Sequence, residues 1–297
     1  NPEFEWEAKA TFNGCPIEKD NKIYLLYRAL SPAKDYQNKN LELNTIGIAE
    51  SKDGLTFTNR KPFIVPEKDW EKYGCEDPRI TKFNDQYYIF YTALSDYPPN
   101  RSNIKVGLAI SDDLKTIKEK HLITPFNAKA MTLFPEKVNG KITAILTAET
   151  DQPPANTAIV QVDKIAELWN PEFWHKWYEE LEMHTLRLNR RPQDHVEIGA
   201  PPIKTKQGWL LIHSYINNYY NELKRIFNIE AMLLNPEKPK QIIGRSKFPL
   251  LIPEEEYELN GIVPEIVFPS GCLVKNDNLN IYYGGADTHC CLGSYPL

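Results

Sequence analysis

The chain reads as all-β, a five-bladed β-propeller carrying a helical insertion between its third and fourth blades. Three observations predict this. Short runs rich in Tyr, Ile, Leu and Phe recur five times, at Ile23–Arg28, Tyr87–Thr92, Ile142–Thr147, Trp209–Tyr215 and Leu279–Gly284. Each follows a turn signal, namely Lys19-Asp20-Asn21, Asn84-Asp85, Asn139-Gly140, Gln207-Gly208 and Asn276-Asp277-Asn278, as a strand entered through a tight hairpin does. The first two units also match in detail, since Ile46-Gly47-Ile48-Ala49 with Ser51 and Asp53 is echoed by Val106-Gly107-Leu108-Ala109 with Ser111 and Asp113. The 297 residues give about 59 per unit, enough for four strands with generous loops. A β-sandwich is the rival, but it requires no repeat and does not aim its loops at one funnel.

Asp163–Asn189, about residues 163–189, breaks the pattern. Asn170 can cap a helix opened by Pro171 and Glu172, and Trp174, Trp177, Tyr178 and Leu181 then fall on one face. Two readings of that stripe stay open: packing on the propeller, or a wall at the funnel mouth or homo-oligomer contact. The whole of 1–297 is expected to be a single catalytic domain.

Composition excludes several classes. A net charge of -5 argues against nucleic acid as partner, because phosphate backbones require concentrated Lys and Arg. No apolar run reaches the roughly 20 residues that cross a bilayer, and Asn1–Ala10 lacks an apolar signal core, so a soluble, cytoplasmic protein without membrane partner is expected. The five cysteines show no CxxC spacing and suggest neither a disulfide framework nor a metal site.

Gly74-Cys75-Glu76-Asp77-Pro78-Arg79 crowds two carboxylates and a guanidinium around a proline. Pro78 restricts the backbone of Asp77, so the run predicts a charged loop of fixed shape that aims this carboxylate. On these residues alone, a capped turn and a catalytic acid are equal readings. If the blades are equivalent, Arg28, Asp77 with Arg79, Glu149, His213 with Ser214, and Asp287 with His289 share one funnel. Such a ring suits carbohydrate cleavage, in which a carboxylic acid protonates a leaving oxygen and polar groups hold hydroxyls. Tyr215, Tyr219, Tyr220, Tyr282 and Tyr283 are available as platforms for sugar rings.

Blocks in order along nearly the whole chain resemble glycoside hydrolase family 130, the β-mannoside phosphorylases and β-mannosidases. They run from Asn1-Pro2 with Trp6-Glu7, through Asn13, Leu25–Ala29, Ser51–Gly54, Gly74–Arg79 and Leu133-Phe134-Pro135-Glu136-Lys137. They continue through Gly199–Pro202, Gly208-Trp209-Leu210, Gly244-Arg245, Val267-Phe268-Pro269 and Tyr282–Asp287. The resemblance implies a five-bladed propeller, manno-oligosaccharide substrates, and Asp77 as a general acid acting through a hydroxyl of the bound mannose. It matches Arg28, Arg79 and Asp287 to sugar-site positions and Lys137 to one that binds phosphate or the reacting face; Asn13, Glu76, Lys137, Ser214, Tyr283 and His289 complete the expected substrate contacts, and Lys137 with Arg79 the expected phosphate contacts.

The chain departs from the phosphorylase pattern. Leu146-Thr147-Ala148-Glu149 stands where those members carry an Arg, and His213-Ser214-Tyr215 where they carry Tyr-His-Gly. Phosphate needs several cations, whereas water needs a carboxylate base, roughly 6.5–9.5 Å from the acid in an inverting enzyme. Glu149 and Glu265 are the candidate bases, each alternatively a rim residue or a partner of a nearby cation. The expectation is therefore inverting hydrolysis of β-mannosides. Phosphorolysis releasing mannose 1-phosphate, with inorganic phosphate as co-substrate, is the alternative, and a sugar-binding propeller without chemistry lies outside the enzyme class. No cofactor or metal is called for, because a carboxylic acid protonates the leaving group without a Lewis acid.

Overall fold

Hairpin chemistry fixes the strands of this computed structural model, which describes residues 3–151, 155–188, 190–221 and 223–297. Asn1, Pro2 and Asn189 of the sequence blocks lie outside these, as does Glu222. At Asp20-Asn21, Asn84-Asp85, Asn139-Gly140 and Asn276-Asp277 both turn residues have positive φ, the geometry whose twist matches that of paired strands.

Five antiparallel meanders result, and 51% of the chain is strand. The first comprises Ala10–Lys19, Lys22–Leu30, Asn44–Ser51 and Thr58–Ile64. The second comprises Gly74–Phe83, Gln86–Leu94, Ile104–Ser111 and Glu119–Leu122. Ala128–Leu133, Ile142–Ala148 and Asn156–Val162 form the third. His195–Ile198, Trp209–Asn217, Ile226–Leu234 and Ile242–Arg245 form the fourth, with Ile203–Lys204 at its side. Val267–Lys275, Asn278–Gly285 and His289–Pro296 form the fifth.

Apolar clusters join each meander to the next. Leu26, Ile46 and Ile80 link first to second, Phe90, Leu133 and Leu146 second to third, and Phe134, Ile159 and Trp209 third to fourth. Ile212 and Ile281 link fourth to fifth, and Leu25, Tyr27 and Tyr282 link first back to fifth. The packing is cyclic, and a parallel bridge between Thr11 and His289 joins the outermost meanders of the sequence.

The detailed repeat has a physical cause. Gly47 and Gly107 pair across strands with Tyr27 and Tyr91, and a Cβ at either glycine would lie 2.5 Å from the tyrosine ring. The freed space lets Tyr27 reach buried Glu7 and Tyr91 reach buried Glu71. Arg60 pairs with Glu7 and Lys120 with Glu71, so both buried carboxylates are compensated. The Ser–Asp echo is an Asx turn: Asp53 accepts from the amides of Leu55 and Thr56, and Asp113 from those of Lys115 and Thr116.

The insertion falls between the third and fourth meanders, as a 3-10 turn at Ile165–Trp169 and helices at Pro171–Glu179 and Leu181–His184. Asn170 accepts from the Glu172 amide, with Pro171 at the first helical position. Trp174 and Trp177 are buried against Phe126 and the third meander. The aromatic stripe is core, which removes the exposed-aromatic ground for a homo-oligomer. Among the described residues no helix is long and apolar enough to cross a membrane.

Candidate active site

Asp77 sits on a strand, not in the loop predicted for it. Gly74–Phe83 pairs continuously apart from a register shift between Glu76 and Arg79, and Asp77 occupies that bulge with φ 51. Matching shifts fall between Phe12 and Cys15 and between Lys129 and Thr132, where Asn13 and Ala130 have φ 52 and 51. Bulges re-aim side chains, and here they turn residues of successive meanders toward a shared cluster.

Within it, Asn13 Nδ2 donates to Asp77 Oδ1 at 2.8 Å. Gly284 makes that placement possible, since a Cβ there would lie 2.0 Å from Asn13 Oδ1. Arg28 donates through Nη2 to Glu76 at 2.7 Å and through Nε to Asn44 at 2.7 Å, and its Nη1 lies 3.5 Å from Asp77. Arg79 is 1% exposed, bound through Nε to the Gly199 carbonyl and through Nη1 to that of Asp77. Its Nη2 has no hydrogen-bond partner among the described residues.

Two residues that the sequence reading missed complete the charge distribution. Lys129, at the third bulge, pairs with Asp151 at 3.1 Å and also feels Glu197 and Glu76. Glu197 acts electrostatically on Lys129, Arg79 and Asp287, and lies 3.3 Å from His195 Nε2. Tyr219 stacks on His195 at 4.3 Å between centroids.

Burial raises the Asp77 carboxyl, but Arg28, Arg79, the Asn13 hydrogen bond and Lys129 outweigh it and hold it below its ordinary value. Glu76 moves up, because burial and Asp77 outweigh Arg28. Asp287 is pushed up to about 6 by burial, opposed by Arg28 and reinforced by Asp77, Glu76 and Glu197. An unfolded Asp titrates near 3.9, so the folded protein carries this penalty only where Asp287 would ionise. Asp287→Asn is therefore expected to stabilise the protein above pH 6, by at most about 3 kcal/mol, and to have little effect below pH 4. Urea unfolding at pH 4 and pH 7.5 measures the difference, and an equal effect at both would contradict it.

Other sequence candidates lie elsewhere. Lys137 is exposed beside the Val138–Lys141 bridge at the far hairpin of the third meander, outside the cluster. Glu149 accepts from Tyr178 of the insertion at 2.6 Å and from Asn156 at 2.9 Å. Glu265 is exposed near Ala286, without a hydrogen bond or ion pair to the cluster among the described residues. Neither proposed base of the hydrolytic expectation is bonded to the cluster among the described residues. Tyr283 is a buried pin, its hydroxyl donating to Glu258 at 2.6 Å, as Tyr27 does to Glu7. Tyr215 and Tyr282 are likewise tied, to Asp194 and to the Gly54 carbonyl. Ser214 is fully buried opposite Glu197, its hydroxyl without a partner among the described residues, and burial holds His213 neutral with a pKa of about 3. His289 is exposed at the rim.

The model of a family described as β-1,4-mannooligosaccharide phosphorylase matches residues 5–297. The chain belongs to glycoside hydrolase family 130. A family relative from Thermoanaerobacter sp. (strain X514), a 1,2-β-oligomannan phosphorylase, is 34% identical over 289 residues, covering 96% of this chain and 90% of its own. A β-1,2-mannobiose phosphorylase from the same organism is 34% identical over 294 residues, covering 97% and 90%. Among solved family 130 structures, the β-1,2-mannobiose phosphorylase of Listeria innocua in complex with β-1,2-mannobiose superposes with a TM-score of 0.77. The two are 25% identical, over 97% of this chain and 90% of that one.

Proposed function

We propose that this family 130 chain is an enzyme that cleaves β-mannosidic bonds of manno-oligosaccharides by phosphorolysis with inversion, releasing mannose 1-phosphate. The observation that carries the reading is the placement of two cations, Lys129 and the Arg79 guanidinium, whose Nη2 has no partner among the described residues, beside the bulge-held Asp77. The relatives, named as mannoside phosphorylases, support the same choice. We further read the five meanders as blades of one propeller forming a single catalytic domain over 1–297, a reading supported by their cyclic packing.

In this reading a phosphate oxygen forms a bond to the anomeric carbon as the glycosidic C–O bond breaks. Asp77 supplies the leaving oxygen's proton through a sugar hydroxyl, and Asn13, Arg28, Glu76 and Asp287 hold the mannose. The low pKa of unliganded Asp77 fits an acid that is armed by its co-substrate. Phosphate engaging Lys129 and Arg79 neutralises two of the charges that hold Asp77 ionised, and adds negative charge that raises its pKa. The step calls on no metal, because Asp77 protonates the leaving group and phosphate is itself the nucleophile.

Glu197 favours a second reading, hydrolysis. It is a carboxylate of the cluster not bound to Arg28, and with His195 at 3.3 Å it could take a proton from water. Incubating the protein with β-1,2- and β-1,4-mannobiose, with and without phosphate, decides. Phosphate-dependent mannose 1-phosphate is expected; free mannose at a rate independent of phosphate would establish hydrolysis instead, and no product would sink both.

A further inference from the structure

The fourth meander carries a feature that the cleavage chemistry does not use. His195, Tyr219 and Tyr220 form a continuous aromatic series running from the charged cluster to solvent. His195 is 3% exposed and stacks on Tyr219, and Tyr219 meets Tyr220 edge to face at 5.6 Å. Tyr220 is 59% exposed. The inner end is tied to the site, because the Tyr219 hydroxyl is raised by burial and by neighbouring Glu197, opposed by Lys129.

The outer end is held by hydrogen bonds of its described residues. The Tyr219 amide donates to the Gln193 carbonyl at 2.9 Å, the Asn221 amide to the Asn218 carbonyl at 2.8 Å, and Asn218 Nδ2 to the Lys224 carbonyl at 3.2 Å. The Arg225 guanidinium lies 5.9 Å from the Tyr219 ring and 5.7 Å from that of Phe227, bracing the base of the turn. A large aromatic side chain held exposed on a hydrogen-bonded backbone loses little conformational freedom when a ligand covers it.

We propose that Tyr219 and Tyr220 form a stacking subsite for mannosyl units beyond the two that flank the cleaved bond, so that this turn sets the preference for chain length. The inference rests on the β-mannoside reading of the same site. A saccharide is the occupant because sugar rings present apolar C–H faces that pack on aromatic rings while their hydroxyls stay solvated, and a tyrosine offers an apolar body with a polar tip. The charged cluster handles the bond; the aromatic series receives the chain that trails from it.

Calorimetry of β-mannobiose and β-mannotetraose binding to the wild-type protein and to Tyr220→Ala tests this. The tetraose is expected to bind the wild type more tightly than the biose, and Tyr220→Ala to weaken tetraose binding about fivefold, one stacking contact's worth, with biose binding unchanged. Tyr220→Phe should restore tetraose binding, since the ring and not the hydroxyl does the stacking. Equal affinities of the wild type for the two saccharides, or an equal effect of Tyr220→Ala on both, would overturn the proposal. Length-dependent binding without turnover of either saccharide would uphold the subsite and overturn the catalytic reading, so the two failures are distinguishable.

Discussion

Asp77→Asn is expected to lower kcat on β-mannobiose by about 10³-fold, within the range for removing a general acid. The substitution is nearly isosteric and keeps an Oδ1 to accept from Asn13, so the bulge and the cluster persist. What disappears is the proton. An Asn cannot supply it to the leaving oxygen, and of the neighbouring carboxyl groups Glu76 is committed to Arg28 and Asp151 to Lys129. The loss should shrink on an aryl β-mannoside whose leaving group departs as a stable phenolate, because that bond breaks without protonation. Steady-state kinetics on both substrates read the outcome. A variant within tenfold of wild type on mannobiose, or an equal loss on the aryl substrate, would remove Asp77 from the acid role.

What the sequence disclosed was local chemistry, and what it concealed was register. Hairpins were legible because Asn, Asp and Gly tolerate positive φ at Asn84-Asp85 or Asn139-Gly140, a requirement met within two residues. The helical insertion was legible through Asn170, Pro171 and the periodic tryptophans for the same reason. Lys129 and Lys137 stand eight positions apart in one meander, and composition does not distinguish them. The bulge at Ala130 and the pairing of Lys129 with Thr147 bring Lys129 inward, and both depend on a strand elsewhere in the chain. Glu197 sits between apolar Val196 and Ile198, an alternation that reads as an outward-facing polar residue. Glu149 accepts from Tyr178, a donor 29 positions away whose position depends on how the helix packs. One signal was present and unread. Trp6-Glu7, Trp70-Glu71 and Tyr257-Glu258 repeat an aromatic–Glu pair, and each Glu receives a tyrosine hydroxyl from the second strand of a meander. That recurrence would have assigned Tyr283 to a structural pin rather than to the sugar.

Lys129→Ala is expected to reduce kcat/KM for phosphate by about 10²–10³-fold, the usual cost of removing a preorganised group that stabilises transition-state charge. The lysine is half-buried, and its charge is favoured by Asp151, Glu197 and Glu76 against the cost of burial, so it stays protonated and available to a dianion. Its loss should do limited damage to the fold. Asp151, its ion-pair partner, is exposed and retains Asn127 Nδ2 at 2.9 Å and Thr150 Oγ1 at 3.1 Å. Lys137→Ala, in the exposed far turn, should leave the phosphate dependence unchanged, which makes it the matched control. The pair also discriminates between nucleophiles. If phosphate attacks, Lys129→Ala raises KM for phosphate, and Lys129→Arg recovers part of the loss by keeping the charge. If Glu197 activates water, Lys129→Ala leaves free-mannose release largely intact, while Glu197→Gln abolishes it. Removing Glu197 from a phosphorolytic site should instead ease phosphate binding, because a like charge beside Lys129 and Arg79 opposes the dianion. The sign of the Glu197→Gln effect therefore identifies the nucleophile, independently of which product assay is used.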